Sequence, residues 1–253
     1  MKGLKGKRVI VTGGGSGIGR AICQRFGEEG SYVAVFDINY EGAQETVKLI
    51  RDAGGNAVSF EVDITDQSTV NSMVETVENN GPIDVLVNNA GWDVVAPFIT
   101  SDVDHWKKVI DINLYGPLYL HRAVLPGMVE RRSGRIINIA SDAGRVGSSG
   151  EAVYSACKGG IVSFTKTVAR EVARSGVQLN AVCPGPTDTP LLADFAQGEA
   201  GEKILEGLKR AIPMKRLGHA SDYPGIVCFL ASDDAGFITG QTISVSGGLT
   251  MHG

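Results

Sequence analysis

RVIVTGGGSGIGRAICQRFGEE, residues Arg8 to Glu29, decides the fold. A β-branched run, Arg8–Thr12, enters a glycine-rich turn and passes without a linker into an amphipathic helix. At a strand-to-helix turn, glycine lets the backbone approach a pyrophosphate closely, and the helix N-terminus offers free N–H donors with a partial positive charge. A dinucleotide is the natural ligand, with Gly13, Ser16, Gly17, Ile18 and Gly19 as its candidate contacts. A tight turn using glycine only for geometry reads the same way, and the spacing Gly13, Gly17, Gly19 departs from G-x-G-x-x-G.

Outward from this turn, short β-branched runs alternate with helix-length amphipathic stretches. Strands are predicted at Arg8–Thr12, Tyr32–Asp37, Ala57–Asp63, Asp84–Asn88, Arg135–Ser141, Gln178–Cys183 and Gln241–Ser246. The pattern predicts an α/β Rossmann fold: a doubly wound, seven-stranded parallel sheet with helices on both faces. A length of 253 residues suits one domain. VLVNN and RIINIAS are nearly continuous apolar runs, as strands covered on both faces should be. A long helical stretch, Asp102–Glu130, is entered by Ser101 as N-cap and kinked at Gly116-Pro117. A second, Ala152–Arg174, ends at Ser175-Gly176. Pro184–Gly218 reads as irregular, with a substrate lid around 187–217.

Composition narrows the function. Lys and Arg number 24 against 28 Asp and Glu, and no block of five like charges occurs, which argues against a nucleic-acid partner. Apolar runs such as Ile226–Ala231 fall far short of the roughly 18 residues that span a bilayer. The start MKGLKGK lacks a signal-peptide core, so a soluble cytoplasmic protein with no membrane partner is expected. Cys23, Cys157, Cys183 and Cys228 show no C-x-x-C spacing, and His105, His121, His219 and His252 include no i,i+4 pair. Buried free thiols and no metal site are the expectation.

Strand two ends in Asp37, about twenty residues past the glycines, where a carboxylate can accept from both hydroxyls of an adenosine ribose and repels a 2′-phosphate. No arginine stands at Ile38 or Asn39, so NAD is favoured over NADP. Asp63, followed by Ile64, could accept from an adenine amino group, whereas Asp66 reads as a helix cap. Later strands end in Asn88-Asn89-Ala90-Gly91 and in Ser141. Tyr154 and Lys158 stand at i,i+4 on one helix face, where an ammonium lowers the pKa of a phenol from about 10. Such a pair alone also fits a solvated helix face.

Together, Thr12 to Gly19, Asn88 to Gly91, Asn113, Ser141, Tyr154-x-x-x-Lys158 and Pro184-Gly185 resemble the short-chain dehydrogenase/reductase family over nearly the whole chain. The resemblance implies that Tyr154 is the general acid/base and that Ser141 hydrogen-bonds the substrate oxygen. It implies that Lys158 binds the nicotinamide ribose and lowers the tyrosine pKa, and that Asn113 helps hold a water in a proton relay. Asn89, Ala90, Gly91, Tyr154, Lys158, Pro184 and Gly185 join the cofactor set, with Thr187 and Thr189 near the carboxamide and Thr187 favoured. A homotetramer is implied as well.

Substrate choice falls to the loop after Gly91, the stretch between Ser141 and Tyr154, and the lid. Trp92, Val146, Leu191, Leu192 and Phe195 could wall an apolar pocket, and Lys203, Lys209, Arg210, Lys215 and Arg216 could meet coenzyme A phosphates or simply face solvent. In wording these stretches, and the ending SDDAGFITGQTISVSGGLT, look like dehydrogenases acting on 2-hydroxycyclohexane-1-carboxyl-CoA in anaerobic alicyclic and aromatic acid degradation. That resemblance implies NAD-dependent oxidation to the 2-oxoacyl-CoA, with an acyl-CoA as partner. The alternatives are a 3-oxoacyl-thioester reductase of fatty-acid type using NADPH, and a non-catalytic NAD-binding sensor.

Overall fold

Alternate residues of each central strand supply two separate cores, one on each face of a single sheet. The computed structural model describes residues 1–189, 192 and 198–251. Its strands are β1 (Arg8–Thr12), β2 (Tyr32–Asp37), β3 (Asn56–Glu61), β4 (Val85–Asn88), β5 (Gly134–Ile139), β6 (Val177–Pro184), β7 (Thr187–Asp188), β8 (Gly218–His219) and β9 (Thr242–Val245). The helices are α1 (Gly17–Glu28), α2 (Tyr40–Asp52), α3 (Gln67–Glu78), α4 (Val103–Ile110), α5 (Gly116–Glu130), α6 (Ala143–Val146), α7 (Ala152–Val172), α8 (Gly198–Ala211) and α9 (Pro224–Ala231).

Seven strands form the expected parallel sheet in the order β3-β2-β1-β4-β5-β6-β9. Val9, Val11, Val33, Val35, Val85 and Val87 point to one face, against Ile22 and Phe26 of α1, Ile50 of α2 and Val227 of α9. Ile10, Ala34, Phe36, Leu86, Ile136 and Leu179 point to the other, against Val74 of α3, Val124 and Met128 of α5 and Val168 of α7. Each such aliphatic side chain contributes about 1.5–3 kcal/mol on burial, and the period of two keeps the sheet in register. Between β1 and β4 the winding reverses, which opens a crevice at the C-terminal strand ends.

Several boundaries differ from expectation for identifiable reasons. β3 stops at Glu61, and Asp63 instead turns the chain by accepting from the Thr65 N–H at 2.9 Å and hydroxyl at 2.7 Å. The N-cap of α4 is Asp102, which accepts from His105 N at 2.7 Å, while Ser101 Oγ accepts from Trp106 Nε1 at 2.7 Å. The expected kink is a five-residue π-helical turn, Asp111–Tyr115, between α4 and α5. Pro117 has no N–H for the Asn113 carbonyl four residues earlier, and the Gly116 N–H reaches back five residues to Asp111.

Pro184–Gly218, expected to be irregular, contains α8, and its ends are tied by β7 pairing with β8, Thr187 opposite Gly218. Leu191 and Phe195 lie outside the described residues. After α7, Gly176 takes the left-handed conformation at φ 70°, as its reading as a stop requires. Asp66 caps α3 by accepting from Ser68 N, also as read. All four cysteines are free and buried. Among the described residues no helix is long and apolar enough to cross a membrane.

Candidate active site

The glycine turn is stitched to the end of β4. Thr12 Oγ accepts from the Asn89 and Ala90 N–H groups at 3.0 and 3.1 Å, and the Asn89 amide donates to the Thr12 and Gly13 carbonyls at 2.9 and 3.1 Å. Gly13 has φ +62°, and a Cβ on it would stand 2.9 Å from Ala90 Cα. On Gly19 a Cβ would come within 2.0 Å of the Gly13 carbonyl oxygen, so that helix start admits no side chain. Ser16 is extended and its side chain makes no capping bond, which leaves the first turn of α1 open to an anion.

Asp37 accepts from Gly15 N and from Asn39 N, both at 2.8 Å, one on each carboxylate oxygen. It borders a cleft of about 740 Å³, a size within the range of small-molecule sites. Around that cleft the structure gathers Gly13, Ser16, Gly17, Ile18, Gly19, Asp37, Asp63, Ile64, Asn89, Ala90, Gly91 and Thr189 from the sequence-derived set. It adds Ile38, Val62 and Ile112, which sequence reasoning missed. Ile38 carried a signal: a large apolar residue, here 67 % exposed, directly after a polar strand end. These donors, this carboxylate and this apolar rim fit a nicotinamide dinucleotide cofactor.

Pro184, Gly185 and Thr187 stand apart from that hollow. Gly185 N donates to the Val245 carbonyl at 3.1 Å. Thr187 is buried, donates to the Gly185 carbonyl at 2.7 Å and meets the Tyr223 hydroxyl, so Thr189 is the threonine that faces the cleft.

The chemical end forms where β5 and α7 converge. Lys158 is buried, its Nζ donates to the Ile139 carbonyl at 3.0 Å, and it stands 5.5 Å from the centre of the Tyr154 ring. A Cβ on Gly91 would lie 3.4 Å from that Nζ, so the ammonium sits against the end of the β4 loop. Ser141 Oγ accepts from Ala143 N at 3.1 Å and its hydroxyl favours the phenolate form of Tyr154 as a donor. Asn113 is fully buried; its amide donates to the Trp92 and Val109 carbonyls at 2.6 and 2.9 Å, and its Oδ1 accepts from Trp92 N at 3.3 Å. Its side chain therefore pins the Trp92 backbone, and Pro117 offers its main-chain carbonyl no N–H four residues on.

Electrostatically the site corrects an expectation. Burial pushes the Tyr154 phenol above its ordinary value, with Glu151 and Asp93 adding to the rise and Ser141 opposing it. Burial likewise pushes Lys158 down to about 8. Desolvation dominates both groups, and Tyr154 rests as the neutral acid.

Of the expected substrate wall, Trp92 borders the cleft, with Lys108 Nζ 3.9 Å from its ring centre and His105 against it at 5.7 Å. Val146 is exposed and Leu192 half-buried. Asp93, next to Trp92, escaped sequence reasoning: it is buried, lies 3.8 Å from His105 Nε2, and burial pushes it up to about 6. Nothing periodic marks a single carboxylate between Trp92 and Val94.

A polar ladder lies beneath the site. Asn88 donates to Asn138 at 2.9 Å, Asn138 to Thr165 at 2.8 Å, and His121 bridges Pro117 O at 2.7 Å and Asn138 at 3.3 Å. Burial holds the His121 imidazole at about 4, hence neutral, with Nδ1–H donating to Pro117.

Residues 13–250 match the family model described as enoyl-(acyl carrier protein) reductase. The chain is similar to the 3-oxoacyl-(acyl-carrier-protein) reductase FabG of Thermotoga maritima, 36 % identical over 98 % of this chain and 99 % of that one. It is similar to the human (3R)-3-hydroxyacyl-CoA dehydrogenase, 37 % identical over 98 % of this chain and 97 % of the other. Among solved structures it resembles an actinorhodin polyketide ketoreductase with NADPH, at TM-score 0.94 and 35 % identity with full coverage of both chains. An NAD⁺-bound xylitol dehydrogenase matches at TM-score 0.93 and 32 % identity over 98 % of this chain and all of that one. The glycine turn, the Ser141, Tyr154 and Lys158 group and these full-length matches agree: the chain belongs to the short-chain dehydrogenase/reductase family of oxidoreductases.

Proposed function

We propose that this protein interconverts a β-hydroxyacyl thioester and the corresponding β-oxoacyl thioester with NAD as cofactor, an activity of fatty-acid type. The observation that carries the reading is the convergence of Ser141, Tyr154 and Lys158 beside a cleft whose far end holds Asp37. Support for the substrate class comes from the names of the two relatives, a 3-oxoacyl and a 3-hydroxyacyl thioester enzyme, both of which name an oxygen at carbon 3 of the acyl chain. Asp37 supports NAD: with both oxygens already accepting from backbone N–H groups its charge is fixed in place, where a 2′-phosphate is repelled. Arg20 is tied to Gly15 O, Thr46 and Glu45 and is not among the groups lining the cleft.

When bound, the nicotinamide supplies the hydride acceptor or donor. Ser141 and Tyr154 hold the substrate oxygen from two directions, which fixes the face presented to the cofactor. In reduction the neutral Tyr154 phenol donates its proton to the oxygen and is left as phenolate; in oxidation the phenolate, favoured by the Lys158 ammonium, takes that proton and becomes the phenol. Lys158 also binds the ribose, Asp37 the adenosine ribose and Thr189 the carboxamide. Oxidation of the ring substrate 2-hydroxycyclohexane-1-carboxyl-CoA is the same β-hydroxy chemistry on a carbocycle, for which Trp92 is the apolar residue bordering the cleft.

Initial rates with NAD across open-chain 3-hydroxyacyl thioesters, cyclic 2-hydroxyacyl thioesters, polyols and hydroxysteroids, and with NADH across the matching oxo compounds, test the reading. Turnover of the open-chain series is expected; turnover confined to polyols or steroids overturns it. We also propose a homotetramer, supported by the fully exposed Phe237 and the exposed Met214 and Met251 near the β9 edge. Sedimentation equilibrium should give four times the 26.6 kDa chain mass, and a monomer contradicts it.

A further inference from the structure

Asp93 is 4 % exposed, its Oδ2 has no hydrogen-bond partner, its Oδ1 lies 3.8 Å from His105 Nε2, and the Val94 amide is the backbone group that favours its ionised form. It shares with Tyr154, Glu151 and His105 the wall of a small cavity of about 10 Å³, room for one water. The titratable groups facing it are His105 from α4, Glu151 from the loop before α7, and Tyr154 and Cys157 from α7. One of these four is basic. A carboxylate so placed is not a fold-stabilising ion pair, because a buried acceptor without its partners costs free energy. Its position beside the phenol gives it a different consequence: a substrate group that enters this cavity next to Tyr154 meets Asp93 and Glu151.

On the reading that Tyr154 works on a β-hydroxyacyl group, we propose that Asp93, backed by Glu151, excludes a substrate carboxylate and so restricts the site to uncharged acyl derivatives such as thioesters. In a free 3-hydroxy acid the carboxylate lies two carbons from the carbinol carbon, and binding carries that charge into a poorly solvated space already holding like charge. A thioester at the same place is neutral, and its carbonyl can accept from Asp93 when that group is protonated. Burial raises the Asp93 carboxyl to about 6, with Glu151 adding and the Val94 amide and His105 opposing, so the exclusion is strong at pH 8 and relaxes on acidification.

The test compares kcat/KM for the N-acetylcysteamine thioester of 3-hydroxybutyrate with that for 3-hydroxybutyrate itself, which carries no coenzyme A handle. Wild type at pH 8 should favour the thioester at least 100-fold. Asp93→Asn should lower that ratio at least tenfold, and Glu151→Gln should lower it less. In wild type the ratio should narrow between pH 8 and 5.5, where the free acid is still ionised, and in Asp93→Asn it should stay flat. A ratio that neither substitution nor pH moves, with the thioester still turned over, overturns this inference alone. A proportional loss on both substrates also overturns it, since a purely structural role predicts that. If wild type oxidises neither compound, the proposed reaction falls and the inference falls with it.

Discussion

Asp37 is the residue on which cofactor choice turns, because its two oxygens are oriented by Gly15 and Asn39 before any ligand arrives. Initial rates should favour NAD over NADP by at least 100-fold, about 2.7 kcal/mol of discrimination. Asp37→Ala should shrink that ratio at least tenfold, chiefly by weakening NAD; a wild-type preference for NADP contradicts the assignment. Asp37 was legible in the sequence because it ends a strand at a fixed distance past the glycine turn. Tyr154 and Lys158 were legible for the same kind of reason, since i,i+4 spacing is a property of the helix alone. The sign of the Tyr154 shift was not legible: burial comes from β5, α7 and the loops around them, and no spacing announces it. Asp93 was hidden likewise, as its strangeness consists in being buried, not in where it stands in the chain.

At the level of elements, the strands and the glycine turn were readable because each is written in local pattern, and the misreadings occurred where tertiary contacts decide. The π-helical turn ahead of Pro117 is legible as a break but not as a fifth-residue bond. Helix α8 was hidden by Gly198, Gly201 and Gly207, although Leu205, Leu208 and Ile212 keep helical spacing. The ladder joining β4, β5, α5 and α7 through His121 has a consequence for stability. An unfolded imidazole titrates near 6.5 and the buried one at about 4, so between those values the unfolded chain binds more protons. Stability contributed by neutral His121 is complete above pH 6.5 and is lost as pH falls toward 4, by about 3 kcal/mol at most. Urea unfolding at pH 7 and pH 4.5 should show a smaller acid loss for His121→Gln than for wild type; equal losses contradict the role given to burial here.

Across the whole molecule, seven parallel strands bring segments distant in sequence to one edge of the sheet. Gly13, Asn89, Ser141 and the end of β6 share that edge because the registers Thr12 with Phe36, Val11 with Val87 and Asn88 with Asn138 align the strand ends. The two cores hold that alignment, and α7 then places Tyr154 and Lys158 against β5. The Rossmann architecture was accordingly the most legible level, whereas substrate identity resides in loops whose pattern carries no period. The most direct measurement is NAD reduction by a 3-hydroxyacyl thioester at pH 8 with wild type and Tyr154→Phe, alongside NAD binding by each. Loss of turnover by at least a thousandfold with NAD affinity kept within about threefold is expected. Turnover by Tyr154→Phe within tenfold of wild type contradicts the account.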